Sequence, residues 1–225
     1  MSIATEIKKI QKELTPFLSK LIVVTKTRST EELIEVYDSG IIDFGENRVQ
    51  EMVEKQAVLP QEIRWHQIGH LQTNKVKYIA PFIHLIHSVD SMNLLKEINK
   101  QAAKNGRIIP CLLQMYIAQE ESKFGLDENE ARQLLNDPTL ASLENIQIVG
   151  LMGMATFTEN EDQIKKEFKS LKELFDLFKN QNVGVDSGRV IWSEISMGMS
   201  GDYLLAAQTG STMVRVGSAI FGPRA

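Results

Sequence analysis

The feature that most constrains the fold of this chain is a repeated alternation of short β-branched runs with amphipathic stretches. The runs predict strands, and the helical spacing of apolar residues between them predicts helices. Strands that alternate with helices pair in parallel through crossover connections, and eight such units in 225 residues fit a closed barrel better than an open sheet. The predicted strands are Leu21–Thr25, Ile41–Phe44, Arg64–Ile68, Ile83–Ser88, Ile108–Ile117, Ile146–Met154, Val190–Ser196 and Thr212–Val216.

This pattern predicts an α/β protein with a single (β/α)₈ TIM barrel over residues 1–225. A doubly wound open sheet is the alternative, but no Gly-x-Gly-x-x-Gly follows the first strand, where a dinucleotide fold would place it. Apolar residues at helical spacing near the N-terminus predict an extra helix ahead of the barrel. The expected segments are 1–19 for the N-terminal helix, 20–217 for the barrel and 218–225 for a short tail.

Composition narrows the expected partners and the compartment. The formal net charge is −4 and the sequence pI is about 5.7, so the chain lacks the basic face that nucleic acid or an anionic membrane requires. No apolar run approaches the roughly 20 residues of a membrane span. Cys111 is the single cysteine, which excludes an intramolecular disulfide and fits a reducing cytoplasm. We therefore expect a cytoplasmic monomer without a nucleic-acid or membrane partner.

Chemistry in a parallel barrel is expected at the carboxyl ends of the strands, which meet at one face. Lys26 follows the first predicted strand, just after the apolar run Leu21–Val24. An amine held among apolar walls loses proton affinity and becomes a nucleophile toward aldehydes. The alternative is a lysine whose stem packs along the strand while its ammonium reaches water. The role of Lys26 therefore depends on its neighbours.

Those neighbours come from the seventh and eighth strands, whose ends in barrels often form a phosphate site. Ser196 ends the seventh strand, and Ser200 is expected to cap the helix that follows. Gly217 and Ser218 offer unhindered N–H groups after the eighth strand. The alternative is two ordinary glycine turns with a serine cap. Arg215 favours the phosphate site, because an arginine on an otherwise apolar strand is costly to bury without a partner.

The histidines do not predict a metal site. His66 and His70 have the four-residue spacing of a helical zinc pair, but a glycine lies between them and the segment ends a strand. His84 and His87 are three residues apart on a predicted strand, so we expect them to point to opposite faces. We therefore expect no bound metal.

A series of ordered motifs runs along nearly the whole chain: Val24–Thr27, Phe44–Glu51, Leu71–Lys75, Ser88–Ser91, Glu121–Gly125, Gly150–Ala155, Ser196–Ser200 and Val214–Gly222. With these motifs the chain resembles the pyridoxal phosphate homeostasis proteins, the YggS/PROSC family. An ordered set is far more specific than any one motif alone. The resemblance implies a barrel of the fold-type III class, similar to the N-terminal domain of alanine racemase but without that enzyme's second, β-rich domain.

The resemblance also implies a cofactor and the residues that hold it. Members of the family bind pyridoxal 5′-phosphate (PLP) and regulate intracellular vitamin B6 supply, with no established catalytic turnover. By matching positions, Lys26 carries PLP as a Schiff base, Arg215 approaches the pyridine nitrogen, and Asn47 lies near the ring. Lys123 matches a second lysine, a transient acceptor of PLP. The implied phosphate cup consists of Ser196, Gly217 and Ser218.

Three classes of function remain open at this point. The first is a PLP-binding homeostasis protein that makes transient contact with apo PLP enzymes. The second is a PLP-dependent amino-acid racemase, which takes a tyrosine base from a second domain that we do not expect in this chain. The third is a cofactor-free Schiff-base barrel such as an aldolase, whose lysine lies on a middle strand. The position of Lys26 and the presence of Arg215 favour the first class.

Overall fold

Eight parallel strands form a closed barrel in the computed structural model, which describes residues 2–118 and 125–222. Each strand pairs with the next one along the chain, and the last strand pairs with the first. The predicted (β/α)₈ barrel is confirmed. The strands are β1 (Lys20–Val24), β2 (Asp43–Glu46), β3 (Arg64–Gln67), β4 (Leu85–Val89), β5 (Ile109–Gln114), β6 (Ile146–Met152), β7 (Val190–Ser196) and β8 (Met213–Val216).

Helices surround the barrel, and one of them precedes β1 as the sequence predicts. The α-helices are α1 (Ile3–Leu14), α2 (Thr30–Asp38), α3 (Val49–Gln56), α4 (Val76–Ile79), α5 (Met92–Lys104), α6 (Glu128–Leu135), α7 (Glu161–Asn180), α8 (Tyr203–Gln208) and α9 (Ser218–Phe221). Short 3₁₀ helices occur at Thr15–Phe17, Thr73–Lys75, Pro138–Ser142 and Val185–Ser187. None of the helices in the described part of the chain combines the length and the apolar character that a bilayer span requires.

Side chains alternate between the two sides of each strand, and the two sides have different surroundings. The outward side chains pack against the helices in one large apolar core, which includes Val23, Phe44 and Trp65. The inward side chains form a much smaller apolar cluster inside the barrel. That cluster consists of Ile22, Leu85, Leu112, Met152 and Met213. Polar side chains therefore occupy part of the barrel interior.

Several boundaries differ from the sequence prediction for identifiable reasons. Strand β2 runs two residues further than predicted because the buried side chain of Glu46 has partners inside the fold. Helix α8 begins at Tyr203, three residues after Ser200, so Ser200 does not cap it. The predicted tail includes α9, a single helical turn that begins directly after Gly217.

Candidate functional site

A cavity of about 410 Å³ opens at the carboxyl ends of the strands, the face at which parallel barrels place their chemistry. Its volume lies within the usual range for a small-molecule site. Its polar lining comes mainly from the loops that follow β1, β2, β7 and β8. The polar and charged residues that line the cavity, together with two glycines, are Lys26, Arg28, Asn47, Thr156, Thr158, Ser200, Gly201, Asp202, Arg215, Gly217 and Ser218.

A partly buried group of charged side chains holds the backbone on both sides of Lys26. The Lys55 Nζ atom donates to the carbonyl oxygen of Thr25 at 2.6 Å and to Glu51 Oε1, also at 2.6 Å. The N–H of Thr27 donates to the same Glu51 oxygen. Thr27 has a φ of +63°, a backbone conformation that side-chain-bearing residues rarely adopt, so this contact offsets a local strain.

Glu46 completes this group, which we call the lysine clamp and define as Glu46, Glu51 and Lys55. Glu46 Oε1 accepts from Lys55 Nζ at 2.7 Å and from the hydroxyl of Thr25 at 2.6 Å. Burial raises the pKa of Glu46 above its ordinary value, although the hydrogen bonds from Lys55 and Thr25 act in the opposite direction. Because both members of this ion pair are buried, each depends on the other for its charge to be tolerated.

Arg215 is a buried cation at the floor of the cavity. Its Nη1 atom donates to Ser196 Oγ at 2.6 Å, and its Nη2 atom donates to the carbonyl oxygen of Gly153 at 3.1 Å. Burial lowers the pKa of Arg215 to about 10, and the nearby charge of Asp202 partly opposes this shift. The guanidinium is therefore protonated at neutral pH and presents only donors.

The turns after β7 and β8 meet at the hydroxyl of Ser200. This oxygen accepts from the N–H of Gly217 at 3.0 Å and from the N–H of Ala219 at 3.3 Å. Gly217 lies close to β1, because a Cβ atom at this position would be 3.2 Å from both the Cβ and the carbonyl oxygen of Val24. A side chain at residue 217 would therefore press on the strand that leads to Lys26.

The structure brings most of the predicted site residues together. Lys26, Asn47, Arg215, Gly217 and Ser218 all line the one cavity. The roles assigned to them from the sequence remain predictions. Lys123, the predicted second lysine, lies outside the described residues.

Ser196 is the exception among the predicted residues, because it does not line the cavity, and its role in the phosphate cup stays a prediction. Its side chain is fully buried below the cavity, where it contacts Arg215 and lies 2.9 Å from His87 Nδ1. Ser200 lines the cavity instead. The two serines are four residues apart, and the turn at Gly198, with a φ of +93°, separates the buried Ser196 from the half-buried Ser200.

Sequence reasoning missed the lysine clamp and the interior histidines. The signal for the clamp was a glutamate at the end of a strand followed by the i, i+4 pair of Glu51 and Lys55. The prediction that His84 and His87 point to opposite faces is wrong. His84 precedes β4, and the ring of His66 lies 5.3 Å from the ring of His84 and 5.2 Å from that of His87.

The closed parallel barrel with this cavity belongs to the alanine racemase N-terminal domain class, as a family model shows. The family model described as "Alanine racemase, N-terminal domain" matches residues 2–225. A pyridoxal phosphate homeostasis protein of Aquifex aeolicus is 38% identical over 208 residues, which cover 92% of this chain and 87% of that protein. The human protein of the same name is 36% identical over 216 residues, covering 91% and 76%. The chain belongs to the family of pyridoxal phosphate homeostasis proteins.

Solved structures agree with this assignment. PipY of Synechococcus elongatus PCC7942, solved with PLP bound, matches with a TM-score of 0.85 and 32% identity over 98% of this chain and 100% of that chain. An alanine racemase from Bartonella henselae with covalently bound pyridoxal phosphate matches with a TM-score of 0.73. That match has 17% identity and covers 98% of this chain but 58% of the racemase, so it shows the fold alone.

The lysine clamp yields a prediction about stability. We expect Lys55→Met to lower the free energy of unfolding by about 3 to 5 kcal/mol, because it leaves the Glu46 carboxylate buried without its cation. Adding Glu46→Gln should restore part of this loss, since the amide needs no counter-charge. Chemical denaturation of both variants measures the effect.

The matched control for this prediction is Lys165→Met, which removes another helical i, i+4 pair with a glutamate. Lys165 and Glu161 are both exposed, so this change should cost less than about 1 kcal/mol. Equal losses for the two lysine variants, or a further loss when Glu46→Gln is added, would contradict the role of the clamp.

Proposed function

We propose that this chain binds PLP in its cavity and serves intracellular vitamin B6 homeostasis as a single barrel domain. One observation carries the proposal: a lysine, a buried arginine and a cluster of hydroxyl and backbone donors line one cavity of suitable volume. PLP has an aldehyde, a pyridine nitrogen and a phosphate. Each of these groups has a complementary partner in the cavity.

Lys26 is the proposed attachment point for the aldehyde. The neutral Nζ amine would add to the aldehyde carbon, and the aldehyde oxygen would then leave as water with the two amine hydrogens as the C=N bond forms. The lysine clamp supports this role, because it fixes the carbonyl of Thr25 and the N–H of Thr27 on either side of Lys26. A fixed backbone restricts where the amine can reach and reduces the entropy that is lost on attachment.

The phosphate is proposed to lie where the turns after β7 and β8 meet. The Ser200 oxygen accepts from two backbone N–H groups, and its own O–H hydrogen is proposed to be donated to the phosphate. Gly217 and Ser218 line the same cavity, and the N–H of Gly217, which the sequence predicts to be available to the anion, instead donates to Ser200. Ser200 replaces Ser196 in the proposed cup. Asn47 is proposed to lie beside the ring.

Arg215 is proposed to face the pyridine nitrogen and to limit catalysis. A guanidinium with a pKa of about 10 keeps its proton at neutral pH, so it donates a hydrogen bond without transferring a proton to the ring. An unprotonated ring withdraws electrons weakly and stabilises carbanions poorly. We therefore propose a carrier without efficient turnover of amino acids.

The proposal extends to partners and compartment. The chain is proposed to work as a monomer in the cytoplasm and to meet apo PLP enzymes transiently. The family to which the chain belongs supports a role in PLP supply, since its members at 32% to 38% identity are named as PLP homeostasis proteins. The single, buried Cys111 is compatible with a reducing compartment.

The first prediction from this proposal concerns Lys26. Purified protein loaded with PLP should be yellow, and borohydride reduction should fix the pyridoxyl group on the peptide that contains Lys26. Lys26→Ala should abolish the absorbance and the labelling. Lys20→Ala is the matched control at the opposite end of β1 and should keep both. Labelling of another peptide, together with full absorbance in Lys26→Ala, would refute the assignment.

The second prediction concerns the phosphate cup. PLP should bind at least about a hundredfold more tightly than pyridoxal, because each charge-assisted hydrogen bond contributes about 1.5 to 3 kcal/mol. Ser200→Ala should weaken PLP roughly tenfold and leave the affinity for pyridoxal unchanged. Ser193→Ala, a serine on β7 bonded to the Val149 carbonyl, is the control and should alter neither affinity. Titration calorimetry measures the affinities for PLP and pyridoxal. Equal affinities of the wild type for these two ligands would exclude the phosphate cup.

The third prediction concerns turnover. PLP-loaded protein incubated with L-amino acids in deuterated buffer should exchange the α-proton and change chirality far more slowly than an enzyme does. Chiral chromatography and NMR follow the two processes. Fast exchange or racemisation that disappears in Lys26→Ala would overturn the carrier proposal in favour of a racemase-like enzyme.

A further inference from the structure

A line of hydrogen bonds crosses the barrel interior from Arg215 to the opposite end of the strands. Arg215 Nη1 donates to Ser196 Oγ at 2.6 Å, and Ser196 Oγ lies 2.9 Å from His87 Nδ1. His87 Nε2 lies 3.0 Å from His66 Nδ1, and His66 Nε2 lies 3.0 Å from Asp43 Oδ1. We call this set the interior column: Arg215, Ser196, His87, His66 and Asp43.

The chemistry of the two ends fixes the direction of every bond in the column. An ionised carboxylate can only accept, so neutral His66 carries its hydrogen on Nε2, donates it to Asp43 and accepts at Nδ1. Neutral His87 then carries its hydrogen on Nε2 and donates it to His66, which leaves its own Nδ1 to accept from the hydroxyl of Ser196. A guanidinium can only donate, so the Ser196 oxygen accepts from Arg215. Each donor and acceptor is used once, and both histidines are neutral Nε2–H tautomers.

Burial and charge agree with this assignment. Burial lowers the pKa of His87 well below its ordinary value and lowers that of His66, so both rings are neutral at physiological pH. Burial alone would raise the pKa of Asp43, but hydrogen bonds from His66 and Arg64 bring it below its ordinary value. Asp43 is therefore a carboxylate, and the column runs from a buried cation to an anion held by Arg64.

A metal site at the far end is the competing explanation for the same residues. Ligand atoms of Asp43, His66 and His84 lie within 4.8 Å of one another. A cation there would have to displace the Nε2 hydrogen of His66, which the column requires, and would face Arg64, which already binds the Asp43 carboxylate. The side chain of Lys20 adds further positive charge near the same histidines. The hydrogen-bonded column accounts for Asp43 and His66 without a metal, and His84 contacts the column through its ring, 5.3 Å from that of His66.

We propose that Ser196, His87, His66 and Asp43 are positioning residues that fix the guanidinium of Arg215 at the cavity floor through one continuous, directed line of hydrogen bonds. Hydrogen bonds that share one direction polarise and strengthen one another, so the far end of the line contributes to the near end. The consequence for PLP, that its ring nitrogen meets an immobile donor, rests on the function proposed above.

The first test uses the protein without PLP, so its result does not depend on the proposed function. Nitrogen-15 NMR of the imidazole rings should show His66 and His87 as neutral Nε2–H tautomers from about pH 5 to 8. Exchange of the Arg215 side-chain N–H with solvent should accelerate about tenfold in Ser196→Ala, and by several-fold in His87→Phe and Asp43→Asn. The increase in the Arg215 exchange rate should be smaller when the substituted residue lies further from Arg215 along the line.

The matched control is Glu194→Gln, which neutralises a carboxylate that pairs with Lys20 and accepts from Thr212 but lies outside the column. Arg215 exchange should stay within about twofold of the wild type in this variant. Chemical denaturation identifies any variant that fails to fold, and the tautomers in the unmodified protein are measured whatever the variants do. An Nδ1–H tautomer, a charged ring at pH 7, or unchanged Arg215 exchange in folded Ser196→Ala and His87→Phe would overturn the proposal.

The second test uses the PLP-loaded protein and double substitution. Ser196→Ala should weaken PLP about tenfold, and adding His87→Phe should weaken it little further, because the line is already cut. If the two substitutions instead caused independent packing defects, their losses of PLP affinity would add. If the wild type binds no PLP, the proposed function fails, whereas the measurements on the protein without PLP still decide on the column. Zinc bound with one ion per chain and lost in His84→Ala would favour the metal site instead.

Discussion

The pairing of β1 with β8 is the constraint on which the rest of this structure depends. These strands lie at opposite ends of the chain, and their parallel register places Val23 opposite Val216. Lys26, which follows one strand, and Gly217, which follows the other, therefore emerge at the same end of the barrel. Gly217 allows β8 to lie close to β1, because a side chain at this position would contact Val24. The cavity is a consequence of closing the barrel.

Closing the barrel also creates an interior that must accept buried charge. The apolar cluster inside the barrel is small, so Arg215 cannot be surrounded by hydrocarbon alone. A buried guanidinium without acceptors would cost several kcal/mol, and this chain meets the cost with a serine hydroxyl and the carbonyl of Gly153. The lysine clamp follows the same rule outside the barrel, where Glu46 and Lys55 are buried together. The cavity is therefore held both by the partners of Arg215 inside the barrel and by the lysine clamp outside it.

Sequence reasoning reached the fold and much of the cavity because both depend on local patterns. Alternating β-branched and amphipathic segments define parallel strands, and a parallel barrel brings every strand end to one face. That logic alone places Lys26 and Arg215 near each other. It could not distinguish Ser196 from Ser200, since only the path of the turn at Gly198 decides which one is buried.

The parts that the sequence did not predict are those in which burial comes from distant segments. Lys55 looks like an exposed member of an i, i+4 helical pair until β2 brings Glu46 against it. His66 and His87 look like ordinary strand residues until the barrel closes around them. Their polarity makes sense only in three dimensions, where a neutral imidazole can accept at one nitrogen and donate at the other. Secondary-structure propensity depends on nearby residues and therefore cannot identify a hydrogen-bond partner on a distant strand.

An arginine with fixed partners affects what the proposed cofactor site can do. A mobile guanidinium would adapt to several ligands, whereas one bonded to Ser196 and Gly153 presents its remaining donors in one direction. Preorganised donors favour tight binding, because little entropy is lost when the ligand arrives. On the proposed function, the same donors would hold the pyridine nitrogen as an acceptor, and this would oppose the protonated ring that supports carbanion chemistry. On the proposed function, the barrel interior therefore favours holding the cofactor over using it.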